Sequence, residues 1–92
     1  MDIQSLYELI QTRKIQMPEN SYTTYLFTEG RDKIVKKVGE EAIEVVLAAT
    51  AQTRERLVEE IADLTYHVLV LMAQQGIEPR DILDELTNRH AG

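Results

Sequence analysis

The sequence contains no cysteine and no tryptophan, and only 5% of its 92 residues are aromatic. The absence of cysteine excludes disulfide bonds and thiolate metal ligands, so any metal site has to use other ligands. The scarcity of aromatic side chains leaves no obvious platform on which unpaired nucleic-acid bases would stack.

Excess positive charge and long apolar runs are also missing. The chain has 16 acidic and 10 basic side chains, whereas affinity for nucleic acid comes mainly from lysine and arginine at phosphates. No apolar segment approaches the roughly 20 residues of a membrane span, and Met1 to Gln4 do not resemble a signal peptide. We therefore expect a cytoplasmic protein that binds neither nucleic acid nor a membrane. It can still bind a small phosphorylated ligand when divalent cations bridge the charges.

The hydrophobic pattern has helical period nearly everywhere, which predicts a single all-α domain over residues 1–92. Pro18, Gly30 and Gly76 mark breaks between helices, and Ser21, Asp32 and Thr53 are candidate N-caps. The predicted helices cover about 2–13, 21–28, 32–51, 53–75 and 79–88.

Two pairs of acidic residues, Glu41 with Glu44 and Glu60 with Asp63, occupy the third and fourth predicted helices. Three-residue spacing places both members of a pair on one side of a helix, and antiparallel packing would bring four carboxylates together. Such charges repel unless a cation neutralises them, and an all-oxygen ligand set suits Mg²⁺ or Mn²⁺. The alternative is ordinary solvated helix surface.

The apolar stripes of these two helices favour the metal site. The stripe of the third helix passes through Glu41, which would leave a lone carboxylate buried without a partner. The other members of that stripe are Ile34, Val38, Val45 and Ala48. The stripe of the fourth helix, with Glu60, Asp63 and His67 along one flank, is formed by Leu57, Ile61, Leu64, Val68 and Leu71.

Further apolar residues lie outside these stripes. Residues 68–73 are apolar around the whole helix, and Ile43 and Leu47 lie opposite the main stripe of the third helix. A two-helix hairpin cannot cover both sides, so we expect a homodimer whose core is a four-helix bundle. The alternative is that the first and last helices cover the second side within one chain.

Two other features leave their roles open. Lys33, Lys36 and Lys37 form a basic group just before Glu41, which fits either helix pairing with that glutamate or a clamp for phosphate. His67 follows Asp63 by one turn and is either a core residue or a ligand. Without a glycine-rich phosphate loop or a nucleophile motif, water activated by a metal is the hydrolytic chemistry that the residues support.

These residues resemble the phosphoribosyl-ATP pyrophosphohydrolase family. The resemblance is carried by Ser21-Tyr22-Thr23, by the run from Lys33 to Glu44 and by the run from Glu59 to His67. That family belongs to the all-α, MazG-like nucleotide pyrophosphohydrolases, whose signature is ExxE on one helix and ExxD on the next.

The resemblance implies Mg²⁺-dependent hydrolysis of 1-(5-phosphoribosyl)-ATP, the second step of histidine biosynthesis. From the apolar faces we expect a homodimer or a dimer of dimers. It implies that Mg²⁺, or Mn²⁺ as a substitute, is held by Glu41, Glu44, Glu60 and Asp63. Glu41 or Glu44 would take a proton from the attacking water. The substrate-binding residues would be Lys33 and Lys37 at the phosphates, together with Ser21, Tyr22, Thr23 and His67.

Two other functions fit part of the pattern. A house-cleaning pyrophosphohydrolase for free nucleoside or deoxynucleoside triphosphates would share the four acidic residues. A non-catalytic helical dimerisation module would carry them only as surface residues, which the apolar surroundings expected for Glu41 disfavour.

Overall fold

The computed structural model describes residues 1–90, which form five α-helices and no strand. The all-α prediction is therefore confirmed. The helices are α1 (Ile3–Gln16), α2 (Tyr22–Glu29), α3 (Arg31–Ala51), α4 (Arg54–Gln75) and α5 (Pro79–His90). No helix among these residues is both long and apolar enough to cross a bilayer.

Most helix ends follow from the predicted caps. The hydroxyl groups of Ser21 and Thr53 accept hydrogen bonds from the first turns of α2 and α4, and Gly76 ends α4 with a φ of 72°. Asp32 is not an N-cap, because α3 begins one residue earlier and Asp32 lies in its first turn. The helix α1 extends to Gln16 and ends at Met17, whose φ of 49° lies in the left-handed region.

The hydrophobic core joins α1, α2 and the start of α3 to the C-terminal half of α4. Its buried members come from four helices and include Tyr7, Ile10, Leu26, Ile34, Leu69, Val70, Met72 and Ala73. The helix α5 packs against α1 and leaves Ile82, Leu83 and Leu86 largely exposed.

The most extensive helix contact is between α3 and α4, which are joined only by Gln52 and Thr53. So short a connection reverses the chain, and the two helices form the predicted antiparallel hairpin. Along α3 the predicted stripe is confirmed, since Ile34 and Ala48 are buried and Val38 is half-buried.

The predicted stripe of α4 is only partly correct. Leu64 and Val68 are half-buried as expected, but Ile61 is 46% exposed, whereas Glu60 and His67 are buried. The side of α4 that packs against the rest of the chain is therefore not centred on the predicted stripe. It lies closer to the flank that carries Glu60 and His67. Because α4 is apolar on more than one side, its pattern alone does not define which side turns inward.

The outer face of the hairpin is apolar. Six side chains of α3 and α4 on this face, each about half exposed or more, are Val35, Ile43, Val46, Leu47, Val58 and Ile61. Among residues 1–90 these side chains are exposed, so this outer apolar face is the surface on which the predicted second layer would pack.

Candidate functional site

Three of the four predicted carboxylates come together across the hairpin. Glu41 of α3 and Glu60 and Asp63 of α4 each offer one oxygen, and these oxygens all lie within 4.8 Å of one another. The chain reversal at the short connection causes this, because residues at similar distances before and after it meet side by side. We refer to these three residues as the acidic cluster.

The acidic cluster runs from the interior to the surface. Glu60 is 6% exposed, Glu41 is partly buried, and Asp63 is open to solvent. An ion held here would therefore have two ligands shielded from water and one side accessible to a substrate. Carboxylate oxygens alone form the set, which suits a hard divalent cation such as Mg²⁺ or Mn²⁺.

Glu44, the fourth predicted ligand, lies outside the acidic cluster. It is exposed, one turn after Glu41 on α3 and offset towards the flank of the helix. The three-residue spacing that predicted a shared face thus leaves Glu44 at the edge of the site. Its role as a metal ligand stays a prediction.

Two basic side chains form ion pairs with two of the three carboxylates of the acidic cluster. Lys37 Nζ lies 3.4 Å from a carboxylate oxygen of Glu41, and Arg56 Nη2 lies 2.7 Å from Glu60 Oε1. Burial disfavours the ammonium of Lys37, but Tyr22, Glu41 and Glu40 outweigh that effect and raise its pKa. The Lys37 ammonium therefore stays charged near neutral pH. Lys37 and Arg56 compete with a cation for the carboxylates.

Arg56 was missed by reasoning from the sequence. It pairs with both Glu59 and Glu60, which follow it by three and four residues. That spacing is the usual one for ion pairs along a helix and was the available signal. The sequence does not show that Glu60 is buried whereas Glu59 is exposed. Because Arg56 bonds to the buried Glu60 of the acidic cluster, Arg56 is part of the site.

His67 adjoins the acidic cluster and is buried. Its Nδ1 lies 2.7 Å from the backbone oxygen of Asp63, and its Nε2 lies 2.8 Å from the hydroxyl oxygen of Tyr22. The rings of Tyr22 and His67 meet edge-on, with centroids 5.6 Å apart. The predicted contact between His67 and substrate stays a prediction, and in this arrangement both ring nitrogens already have protein partners.

Hydrogen bonds from the segment Ser21-Tyr22-Thr23 hold the start of α2 against α1 and α4. The Ser21 hydroxyl accepts a hydrogen bond from Arg13 of α1 at 3.5 Å, and the buried Thr23 hydroxyl bonds to the hydroxyl of Tyr66 of α4. Tyr22, by contrast, is 47% exposed. Of these three residues, Tyr22 is therefore the one whose side chain is most open to a substrate.

Tyr22 also lies in the electric field of the acidic cluster. Burial of its phenol raises the pKa of Tyr22, Lys37 opposes that change and Glu41 adds to it. Beside it on α2, the ring of Tyr25 stacks at 6.1 Å between centroids. The predicted phosphate contact Lys33 places its ammonium 5.7 Å from the centre of the Tyr25 ring.

Comparison with known proteins identifies close relatives. A model of the phosphoribosyl-ATP pyrophosphohydrolase family matches residues 3–90. The phosphoribosyl-ATP pyrophosphatase of Pelotomaculum thermopropionicum is 53% identical over 87 residues, which make up 95% of this chain and 89% of that protein. The protein of the same name from Listeria monocytogenes serotype 4b is 56% identical over 87 residues, 95% of this chain and 84% of that one.

A longer relative carries a similar segment. The histidine biosynthesis bifunctional protein HisIE of Bacillus subtilis is 54% identical over 86 residues. The match takes in 94% of this chain but only 41% of that protein. The similarity is thus confined to one part of the bifunctional protein.

Proposed function

This chain belongs to the phosphoribosyl-ATP pyrophosphohydrolase family, and we propose that it hydrolyses 1-(5-phosphoribosyl)-ATP to 1-(5-phosphoribosyl)-AMP and pyrophosphate. This is the second step of histidine biosynthesis. The observation that carries the proposal is the acidic cluster, in which three carboxylates share one small space across the hairpin. The relatives named above, which match nearly the whole chain, support the choice of substrate.

Glu41, Glu60 and Asp63 would hold the cation, which we propose to be Mg²⁺, with Mn²⁺ as a substitute. When bound, the ion neutralises charge on the triphosphate and lowers the pKa of a coordinated water. The chain's own contribution is to hold the carboxylates close together before the ion arrives. Burial of Glu60 and its bond to Arg56 fix the direction of that carboxylate.

Glu44 is the carboxylate best placed to take a proton from the attacking water. It is exposed and lies outside the acidic cluster, so its oxygens are not committed to the ion. Lys37, which stays charged, would bind a phosphate oxygen of the substrate beside Glu41, and Lys33 would bind another from the same face of α3.

The outer apolar face supports a homodimer. Leaving several half-exposed aliphatic side chains of α3 and α4 in water is unfavourable, and packing two hairpins together removes them from it. We propose that two chains form a four-helix bundle through this face.

The two alternative functions meet different obstacles. A non-catalytic dimerisation module gains nothing from a buried glutamate, because burying a charge costs free energy, and Glu60 is almost fully buried. A pyrophosphohydrolase for free nucleoside triphosphates would share the acidic cluster, and the relatives named above favour the biosynthetic substrate. Pyrophosphate release from ATP and deoxynucleoside triphosphates, measured beside phosphoribosyl-ATP, decides between these two substrates.

The test of the site is a set of glutamine variants assayed with phosphoribosyl-ATP and Mg²⁺. Glu60→Gln removes a cluster carboxylate, and we expect turnover to fall by on the order of 10²-fold or more, as for the loss of one preorganised electrostatic contact. Glu55→Gln, an exposed residue of the same helix, is the matched control and should retain normal turnover. Normal turnover in Glu60→Gln would exclude the acidic cluster as the active site.

Glu44→Gln separates the two roles open to that residue. Turnover should fall by on the order of 10²-fold whether Glu44 is a base or a ligand. The rise in melting temperature caused by Mg²⁺ should survive in Glu44→Gln, since a ligand that binds only the native state stabilises it. Loss of that rise would make Glu44 a ligand instead, and normal turnover would remove it from the site.

A further inference from the structure

The ammonium group of Lys33 has an aromatic ring as its partner. Its Nζ lies 5.7 Å from the centre of the Tyr25 ring, within the roughly 6 Å over which a cation and the face of a ring attract each other. Within residues 1–90 Lys33 forms no ion pair. Lys37, one turn later, pairs with two glutamates. The two lysines are thus held by chemically different partners.

These partners leave the two ammonium groups with different capacities to bind an anion. A carboxylate cancels the charge of the lysine that it pairs with and occupies one of its N–H donors. A phenol ring attracts a cation through its face but carries no net charge, so the charge of Lys33 is retained. The side chain of Tyr25 raises the pKa of Lys33, with smaller contributions from Glu29 and Glu40. Lys33 can therefore bind a phosphate without first leaving an acidic partner.

The Tyr25 ring also connects Lys33 to the site around the acidic cluster. It stacks on Tyr22, with ring centroids 6.1 Å apart, and the charges of Lys33 and Lys37 both act on the Tyr22 phenol. Residues four apart lie on the same side of a helix, with Cβ atoms about 5–6 Å apart. Two neighbouring cations on one side of α3 suit the linked phosphates of a diphosphate or triphosphate.

We propose that Tyr25 is a positioning residue whose ring holds Lys33 beside Lys37, so that the two ammonium groups together bind linked phosphates of the substrate. The inference rests on the function proposed above. It gives Tyr25 no contact with the reacting atoms. The ring restricts a long, flexible lysine side chain before the substrate arrives, so less conformational entropy is lost when the phosphate binds.

Substitutions at position 25 separate the ring from its hydroxyl group. Tyr25→Phe keeps the ring face, whereas Tyr25→Leu keeps an apolar side chain without a ring. We expect the dissociation constant of pyrophosphate, measured by calorimetry with Mg²⁺, to rise about three- to fivefold in Tyr25→Leu and by less than about twofold in Tyr25→Phe, as for one exposed cation–π contact. In Tyr25→Leu, KM for phosphoribosyl-ATP should rise in parallel while kcat stays unchanged, because only binding is affected.

A double variant tests whether Tyr25 acts through Lys33. Lys33→Gln should weaken pyrophosphate binding by about tenfold, since a charge-assisted hydrogen bond is lost. Adding Tyr25→Leu to Lys33→Gln should weaken binding no further, because the contact that the second change removes is already gone. Lys36→Gln, at an exposed lysine of the same helix, is the matched control and should bind pyrophosphate normally.

Each contrary result overturns a defined part of the proposal. Equal loss in Tyr25→Phe and Tyr25→Leu would assign the effect to the hydroxyl group, and additive loss in the double variant would show that Tyr25 acts without Lys33. Normal pyrophosphate binding in Lys33→Gln would remove both residues from the linked phosphates. An unmodified protein that binds pyrophosphate but leaves phosphoribosyl-ATP intact would overturn the function proposed above, and the pyrophosphate series would still decide the role of Tyr25.

Proton NMR provides a readout without substrate or metal. The face of an aromatic ring shifts nearby protons upfield, so the ε-methylene protons of Lys33 should resonate upfield of those of Lys36. This difference should persist in Tyr25→Phe and vanish in Tyr25→Leu. Its absence from the unmodified protein would overturn the inference even if pyrophosphate binding changed as expected. Because Tyr25 is 44% exposed, both substitutions leave the hydrophobic core intact.

Discussion

Arg56 illustrates how a single residue couples stability to metal binding. Its guanidinium neutralises the buried carboxylate of Glu60 at 2.7 Å, at the position where a cation would also bind. The same carboxylate therefore has two competing partners, one built into the chain and one from solution. Which partner dominates depends on the concentration of the ion.

Replacing Arg56 by glutamine should expose that competition. Without the ion, Arg56→Gln should lower the free energy of unfolding by roughly 1 kcal/mol, a value reduced because Arg56 is half exposed. With saturating Mg²⁺, the rise in melting temperature should be larger than in the unmodified protein, because the ion has lost its competitor. Differential scanning calorimetry at several Mg²⁺ concentrations measures both effects.

Arg80→Gln is the control for this comparison. Its ion pair with Asp84 lies at 3.9 Å on the exposed surface of α5, so both the stability and the response to Mg²⁺ should stay unchanged. An equal response to Mg²⁺ in all three proteins would show that the ion does not bind at Glu60.

At the scale of the helix, the start of α1 carries a pH-dependent cap. The carboxylate of Asp2 accepts a hydrogen bond from the backbone N–H of Ser5 at 2.7 Å, and the Ser5 hydroxyl oxygen accepts one from the backbone N–H of Asp2 at 3.1 Å. The bond from that N–H, with the smaller contribution of the Ser5 hydroxyl, holds the pKa of Asp2 below its usual range. The folded state therefore binds the proton of Asp2 less readily than the unfolded chain does.

The sign of the pH effect follows from that lowered pKa. The stabilisation by Asp2 is fully present above the ordinary aspartate pKa of about 3.9 and is lost as the pH falls through the lower folded value. Asp2→Asn retains a capping acceptor that does not titrate. The melting temperature of the unmodified protein should exceed that of Asp2→Asn near pH 7, and the difference should shrink as the pH falls below the ordinary aspartate pKa of about 3.9. A difference that is constant with pH would contradict the assignment.

The helices could be predicted well because their ends are encoded locally. Ser21, Thr53 and Gly76 each act within one turn of chain, and each ends or starts a helix where expected. Asp32 failed as a cap because the preceding Gly30 already lets the chain turn into α3. The rotation of α4 could not be predicted, since it depends on how several apolar sides compete for one core.

At the scale of the whole molecule, assembly is the prediction with the largest consequence. Ile43 is 61% exposed in the middle of the outer apolar face. Ile43→Glu would place a charge in the proposed dimer interface, and we expect sedimentation velocity at micromolar concentration to show a shift from dimer to monomer or to unfolded chain. Ile15→Glu alters an isoleucine that is 80% exposed on α1 and should leave the dimer intact.

A monomeric unmodified protein would contradict the proposed bundle directly. The same would follow if both glutamate variants remained dimers of equal stability. Either result would leave the outer apolar face without the partner proposed here, and the hairpin would have to be stable with that face in water.

The candidate site was predictable to the extent that it follows from the hairpin. Glu41, Glu60 and Asp63 meet because a short connection joins two regular helices, and helical geometry with chain reversal is enough to foresee that. The distance of Glu44 from the group and the bond between Tyr22 and His67 depend on side-chain orientation and on how α2 docks. Spacing in the sequence does not determine these.

The short connection between α3 and α4 also bears on the order in which the protein folds. All three carboxylates of the acidic cluster lie within one hairpin. The loop that must close to bring them together is short, so the entropy lost on closing it is small. Contacts of such low sequence separation form quickly. The α1 and α2 helices, by contrast, must find the C-terminal half of α4 across most of the chain. We therefore expect the acidic cluster to form before the aromatic residues of α2 arrive, with Lys37 and Arg56 of the same two helices already beside it.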